Sequence, residues 1–257
     1  MEDQLLSIDM ESGEVTHLID FTKTMSGYYE MTRPISATDD FFWQAGEWDW
    51  IHLNSLQYME EDDSLIVSSR ETSTIIKLEH VHQDPEVVWL AGDSRFWEDT
   101  PYADLCLEQE GEFVPQYGQH CVEYLRDGEE DGVYDLVLYN NNYWSLSSRD
   151  DFELDVADSV ETELYGLGGE KSQLYIYRID ENAGTFALDF SFDVPYSSIV
   201  SNASVCGENG NWIVNSGVSK VFGEYDADGT LIREFSYECD MQNYRTFKYD
   251  FTGFWFH

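Results

Sequence analysis

Acidic turns, most of them closed by a glycine, recur between short runs of β-branched and aromatic residues. This recurrence is the tightest constraint on what the chain can fold into. One set of runs covers residues 65–69, 74–78 and 86–90, a second 134–138, 173–179 and 185–190, and a third 211–214, 221–225 and 231–235. The sets share an order: a polar lead-in, a strand ending in small polar residues, a strand closing on an acidic turn, and a last strand. Asp180-Glu181-Asn182-Ala183-Gly184 and Asp226-Ala227-Asp228-Gly229 are two such turns, and Asp9-Met10-Glu11-Ser12-Gly13 is a third near the start. Each supplies a residue that tolerates the positive φ of a tight hairpin. Helical periodicity is scarce. An antiparallel unit that repeats and cannot bury its own faces predicts an all-β chain of the β-propeller type. A β-sandwich would share the strands but not the hairpin at matching places.

The strands amount to four to five blades, short of closure for a larger ring. Residues 1–257 therefore read as a single propeller domain that opens inside a blade, a fragment lacking N-terminal blades. Residues 92–118 and 145–171 interrupt the pattern with long stretches rich in Asp, Glu and Ser. Connections of that length commonly wall a binding face.

Charge narrows the partners. Fifty-two acidic residues against 13 basic ones give a net charge of -39, while 16% aromatic content marks a globular chain. Such a field repels nucleic acid and anionic membrane surfaces, so neither is an expected partner. No run of 18 apolar residues is present, so no membrane insertion is expected. No basic segment followed by an apolar one opens the chain, so no signal peptide is visible and the compartment stays open. An anionic ligand would need a local basic cluster. Self-association into a homo-oligomer is compatible with everything in the sequence.

Cys106, Cys121, Cys206 and Cys239 have no metal-type spacing and read as buried thiols, although a Cys106–Cys121 bridge is allowed. Of six histidines, His17 and His257 read as surface residues. His80 and His82 alternate, but an isolated pair is weak support for a metal, and no metal site is expected. His52 and His120 differ, because each opens a strand set. Innermost strands line the centre of a propeller, so matching positions on successive blades converge there. A histidine pinning the start of a blade by bonding a carbonyl is the competing structural role.

Several segments carry a family resemblance. They are Asp49-Trp50-Ile51-His52-Leu53-Asn54-Ser55, the run from Asp63 to Lys77 containing Ser68-Ser69-Arg70-Glu71-Thr72-Ser73, Val88-Trp89-Leu90-Ala91-Gly92-Asp93, Gly118-Gln119-His120, and Tyr244-Arg245-Thr246-Phe247-Lys248. In this order they resemble motifs of the bacterial arylsulfate sulfotransferases. The resemblance implies a six-bladed propeller that moves a sulfuryl group from a phenolic sulfate to a phenol acceptor, with no nucleotide sulfate donor or other cofactor. It also implies a ping-pong route through a sulfated histidine, with further histidines and an arginine around the sulfate oxygens, and a family that is typically exported. His52 and His120 match the histidines that hold the sulfuryl group. Asn54, Arg70, Trp144 and Arg245 are the expected substrate contacts.

Two positions depart from the family pattern. The nucleophilic histidine is replaced by Asn215, in Val214-Asn215-Ser216-Gly217, and an amide nitrogen has no available lone pair to bond sulfur. Trp144 stands where the catalytic arginine is expected, with Arg149 the nearby candidate for that role. Three readings follow: a sulfotransferase with rearranged chemistry, a non-catalytic propeller that binds sulfated or phenolic small molecules, and an assembly scaffold.

Overall fold

A computed structural model describes residues 3–35, 46–149, 152–164, 170–207 and 209–249. His257 lies outside them. The chain is all-β, built from several antiparallel sheets, none of them closed, in a propeller-like arrangement.

The chain opens with a hairpin of β1 (Gln4–Ile8) and β2 (Val15–Asp20), then two short helical turns. The first full sheet is a meander of β3 (Leu53–Met59), β4 (Ser64–Ser69), β5 (Thr74–Glu79) and β6 (Glu86–Ala91). The second contains β7 (Glu108–Glu110), β8 (His120–Asp127), β9 (Val133–Asn140), β10 (Lys171–Asp180) and β11 (Thr185–Pro195). There β8 to β11 form a meander, and β7 adds to the outer edge in parallel with β11. The third is a meander of β12 (Asn202–Cys206), β13 (Asn211–Ser216), β14 (Val221–Tyr225) and β15 (Leu231–Ser236).

The acidic turns fall between strands as expected, and Gly184 and Gly229 take φ of +69° and +80° there. Residues 92–118 hold two single 3₁₀ turns besides β7.

The sheets stack face to face, and alternation along single strands shows it. In β9, Leu136 and Leu138 point into a cluster with Ile66, Ile75 and Tyr177 of the first and second sheets. Their neighbours Val137 and Tyr139 point the other way, into a cluster with Trp212 and Val214 of the third. A strand covered on both sides loses the polar face of a half-buried one. Accordingly β4 is buried along its whole length. A third cluster joins the helical turns to the first sheet through Phe21, Met25, Tyr28, Trp50 and Trp97. The first strands of the three sheets are neighbours, β3 packing on β8 and β8 on β12. They therefore bring the starts of three sheets to one region.

Candidate functional site

The Gly118-Gln119-His120 segment is fixed by its surroundings. Gly118 has φ +63°, and a Cβ there would lie 2.5 Å from the carbonyl oxygen of Tyr143, so only glycine fits. The Gln119 amide donates to Ser68 Oγ (3.1 Å) and to the carbonyls of Ser69 (3.0 Å) and Thr74 (3.1 Å), tying β8 to the first sheet. His120 follows, buried. Its Nδ1 lies 2.8 Å from Asn141 Oδ1 and 3.0 Å from the Gly118 carbonyl. On the other side, the Val200 backbone N–H donates to Nε2 at 3.2 Å. Nδ1 therefore carries the proton and Nε2 accepts. Burial pushes its pKa down to about 3, with the charges of His52 and Arg70 acting in the same direction and the Asn141 hydrogen bond opposing them.

Val200 holds that N–H in place from an unusual conformation. Its φ is +55°, which a β-branched residue rarely adopts, and Ser201 follows at +89°. Asn141 Nδ2 braces the turn by donating to the carbonyls of Ser197 (2.6 Å) and Val200 (3.1 Å).

His52 immediately precedes β3 and also has a positive φ, +47°. Trp50 and Ile51 are fully buried, which anchors the short loop. Asp49 and His52 are thereby presented to each other, with Asp49 Oδ2 2.6 Å from His52 Nδ1. The Asp49 side chain is 2% exposed and that of His52 26%, so the carboxylate is interior and the ring reaches toward solvent. Asp3 lies nearby, accepting from the Leu53 N–H at 3.3 Å. Burial raises its pKa, the Leu53 hydrogen bond opposes this, and the charge of Asp49 adds to the rise.

The basic groups come from separate elements. Arg70 Nη1 lies 3.0 Å from Glu71 Oε2, and its guanidinium stands over the Tyr143 ring. Glu71 is wholly buried and also accepts from the Ser147 N–H (2.5 Å), Ser147 Oγ (3.0 Å) and the Ser148 N–H (2.9 Å). Burial raises its pKa even against the Arg70 charge. Arg245 Nη2 donates to the Asn54 carbonyl at 2.8 Å, and Asn54 Nδ2 donates to the Gln119 carbonyl at 2.7 Å. Arg245 Nε and Asn54 Oδ1 are buried without a hydrogen-bond partner among the described residues.

Asn215, near the end of β13, is fully buried. Its amide donates to the Asn243 carbonyl at 3.2 Å and accepts from Thr246 Oγ1 at 3.3 Å. Thr246 N–H donates to Asn202 Oδ1 at 2.8 Å, and the Tyr244 carbonyl accepts from the Ser201 N–H at 3.0 Å. The Tyr244 ring lies 6.1 Å from that of His120. Residues 243–246 thus form a strap running from β12 and β13, past His120, to Asn54.

His52, Asn54, Arg70, His120 and Arg245 therefore gather in one region, with Asn215 joined through the strap. Trp144 does not face this group. Its ring packs edge-on against Tyr117 and Phe96 at the rim of an apolar cluster. Arg149 stands over the Phe152 ring at 5.3 Å, one residue beyond the Ser147-Ser148 pair that caps Glu71. Asp49, Glu71, Asn141, Val200 and Tyr244 were not singled out by sequence reasoning. Asp49 could have been found from its spacing to His52 within one motif, whereas nothing in the sequence marks Val200.

All four cysteines are free thiols. His82 pairs with Asp63 at 2.6 Å and with Ser7 at 3.0 Å, near the His17 ring, rather than with His80. Among the described residues no group of three or more His, Cys, Asp or Glu is arranged for a metal, and no helix is long and apolar enough to cross a membrane. A cleft of about 890 Å³ between the first two sheets is lined by Glu60, Glu61, Asp62, Glu129 and Glu130, with Lys77 among the lining residues. Its charge makes it a poor host for an anion.

Comparison with known proteins places these residues in context. A 138-residue stretch, 53% of the chain, is 28% identical to the arylsulfate sulfotransferase AssT of Escherichia coli O6:H1 (strain CFT073) and covers 22% of that protein. The match thus spans about a fifth of the length of the curated relative. A protein of unknown function from Desulfotomaculum acetoxidans DSM 771 is similar in structure at a TM-score of 0.39 and 12% identity, over 91% of this chain and 48% of that one. A 6-phosphogluconolactonase-like structure from Bacteroides fragilis NCTC 9343 is similar at 0.39 and 12%, over 93% and 65%. The sequence model described as Arylsulfotransferase (ASST) matches residues 1–250, and the chain belongs to that family.

Proposed function

We propose that the chain moves a sulfuryl group from a phenolic sulfate ester to a phenol acceptor, at the place where the first strands of its sheets meet. The carrying observation is the gathering of His52 and Arg70, at the two ends of the β3–β4 hairpin, with His120 and Arg245 from distant parts of the sequence, in a chain of this family. Sulfuryl transfer passes through a loose transition state, so positioned cations and hydrogen-bond donors supply most of what it needs. Arg245 and Arg70 would face the sulfate oxygens, with Asn54 beside them. His120, neutral and fixed on both ring nitrogens, is a positioned partner for the bound group. A single propeller domain, six-bladed when complete, is the architecture in which this site would form the centre.

A second reading has its own support. Asn215 replaces the family nucleophile, and both nitrogens of His120 are engaged. A propeller that binds sulfated or phenolic molecules without turning them over would look the same at those positions. Incubation with a chromogenic aryl sulfate and a phenol acceptor separates the two. Acceptor-dependent release of the chromophore supports transfer. Saturable calorimetric binding without release supports the binding reading. Neither signal would overturn both.

A further inference from the structure

We propose that Ser7, His82 and Asp63 form a second reactive site, which cleaves esters of short apolar carboxylic acids by acylation of Ser7. The three residues come from separate segments: Ser7 from β1, Asp63 from the turn between β3 and β4, and His82 from the turn after β5. They lie at the far end of β3 from His52, and the assignment does not depend on sulfuryl transfer.

The hydrogen bonds of the three run in one direction. Asp63 Oδ1 lies 2.6 Å from His82 Nδ1, and Asp63 Oδ2 accepts the His82 backbone N–H at 3.3 Å. Nδ1 therefore carries the ring proton, which leaves the lone pair on Nε2. Ser7 Oγ stands 3.0 Å from that nitrogen, so the hydroxyl donates to it. A hydroxyl held against a histidine whose other nitrogen faces a carboxylate is the arrangement that turns serine into a nucleophile. The Val81 N–H donates to the Asp63 carbonyl at 3.1 Å and ties the two turns together. The Tyr58 hydroxyl reaches Asp63 Oδ1 at 3.4 Å, and the Tyr58 ring packs edge-on against that of His82. The His82 side chain is 42% exposed, so water has access to it.

A cavity and an unused polar atom point to the substrate. The cavity adjoins Ser7, has a volume of about 250 Å³, and is lined by Leu5, Ile19, Leu65 and Val81 together with His17 and His82. Its size and apolar walls suit a short acyl chain rather than a larger ligand. His17 stands opposite Ser7 in the β1–β2 register, with its ring 5.6 Å from that of His82. Its Nε2 is buried without a hydrogen-bond partner among the described residues. Such an atom carries a desolvation cost that a ligand oxygen would relieve. With its proton on Nε2, His17 donates to the ester carbonyl and steadies the oxyanion that forms there.

The steps balance as follows. Ser7 Oγ bonds the carbonyl carbon as its proton passes to His82 Nε2, and the carbonyl oxygen takes the electron pair. The carbon–oxygen bond to the alcohol then breaks, and the alcohol leaves with the proton from His82. Water gives a proton to His82 and its oxygen attacks the acyl carbon. The free acid is released as Ser7 Oγ takes that proton back.

Two measurements on the parent chain and its variants test this. In the first, the protein is exposed to a fluorophosphonate and mapped by peptide mass. The phosphonyl group is expected on Ser7, and His82→Gln should slow labelling on the order of 10²-fold. In the second, 4-nitrophenyl butyrate is supplied, and a burst of nitrophenolate with a butyryl group on Ser7 is expected. His17→Leu should lower kcat on the order of 10²-fold with little change in KM, while His17→Gln, which keeps an N–H donor, should recover part of the loss. A parent chain that takes neither group on Ser7, or takes them on a histidine instead, would overturn the proposal. In that case a lower unfolding temperature in Ser7→Ala would assign the three residues to clamping the β1–β2 hairpin. Labelling of Ser7 at the same rate in His82→Gln would overturn the role of His82, and equal kcat in both His17 variants that of His17.

Discussion

The backbone N–H of Val200 donates to Nε2 of His120 across 3.2 Å, from a residue whose φ is +55°. The contact requires a neutral ring, because protonating Nε2 would set two donors against each other inside the protein. The folded pKa of His120, about 3, lies below the ordinary 6.5. Its contribution to stability is therefore fully present above pH 6.5 and is lost as pH falls from there toward 3. We expect the unfolding free energy of the parent to fall more steeply with acid across pH 6.5 to 4.5 than that of His120→Gln. Urea titrations at a series of pH values measure both slopes. Glu224, held down to about 2 by Lys248 and Arg233, acts at lower pH in both proteins. Parallel slopes would show that His120 titrates normally.

Asn215→His would introduce an imidazole where the family resemblance implies a nucleophile, but the site is closed around the amide. Asn243 and Thr246 contact it directly, and no surface is left exposed. The larger ring should cost about 1–3 kcal/mol of stability by overpacking and displace the strap. We expect a lower unfolding temperature together with a sulfuryl adduct on the new histidine after exposure to an aryl sulfate. An adduct with no loss of stability would mean that the strap moves aside freely.

Glu71 carries the buried turn between β4 and β5. Four hydrogen bonds converge on its carboxylate, one from Arg70 and three from Ser147 and Ser148. Removing it leaves a buried guanidinium uncompensated, so Glu71→Ala should destabilise the fold by about 3–5 kcal/mol. Denaturant unfolding checks this, and a loss below about 1 kcal/mol would indicate that water replaces the carboxylate.

Gly118→Ala places a methyl 2.5 Å from the Tyr143 carbonyl, at a backbone φ of +63°. Backbone cannot yield there as a flexible side chain could. We expect a loss of at least about 2 kcal/mol and faster hydrogen exchange at His120 and Cys121. Unaltered exchange would show that β8 is positioned independently of this glycine.

The strands and acidic turns were legible because each is a local property: alternating or continuous apolar runs, ended by residues that tolerate positive φ. Families of motifs also pointed to His52, His120 and Arg245, which do come together. Trp144 and Arg149 pack on aromatic rings, those of Tyr117 and Phe96 and that of Phe152 respectively. Spacing along a long connection does not say which side chain turns into an apolar cluster, and Trp144 does. Val200 was invisible because its role is a backbone N–H, which every residue but proline has. Asn215 stood out in the sequence, but its enclosure depends on residues 243–246, far along the chain. No pattern around β13 announces them.

The strap has a consequence for the order of events during synthesis. Arg245 meets the Asn54 carbonyl across 191 positions of sequence. When β15 leaves the ribosome, all three sheets have their strands, yet Tyr244, Arg245 and Thr246 are still to come. Domains fold as their residues emerge, and distant pairings are the slow ones. The nascent protein thus has its walls before its roof, and the contacts of residues 243–246 with His120 and Asn215 are the last of the site to become possible.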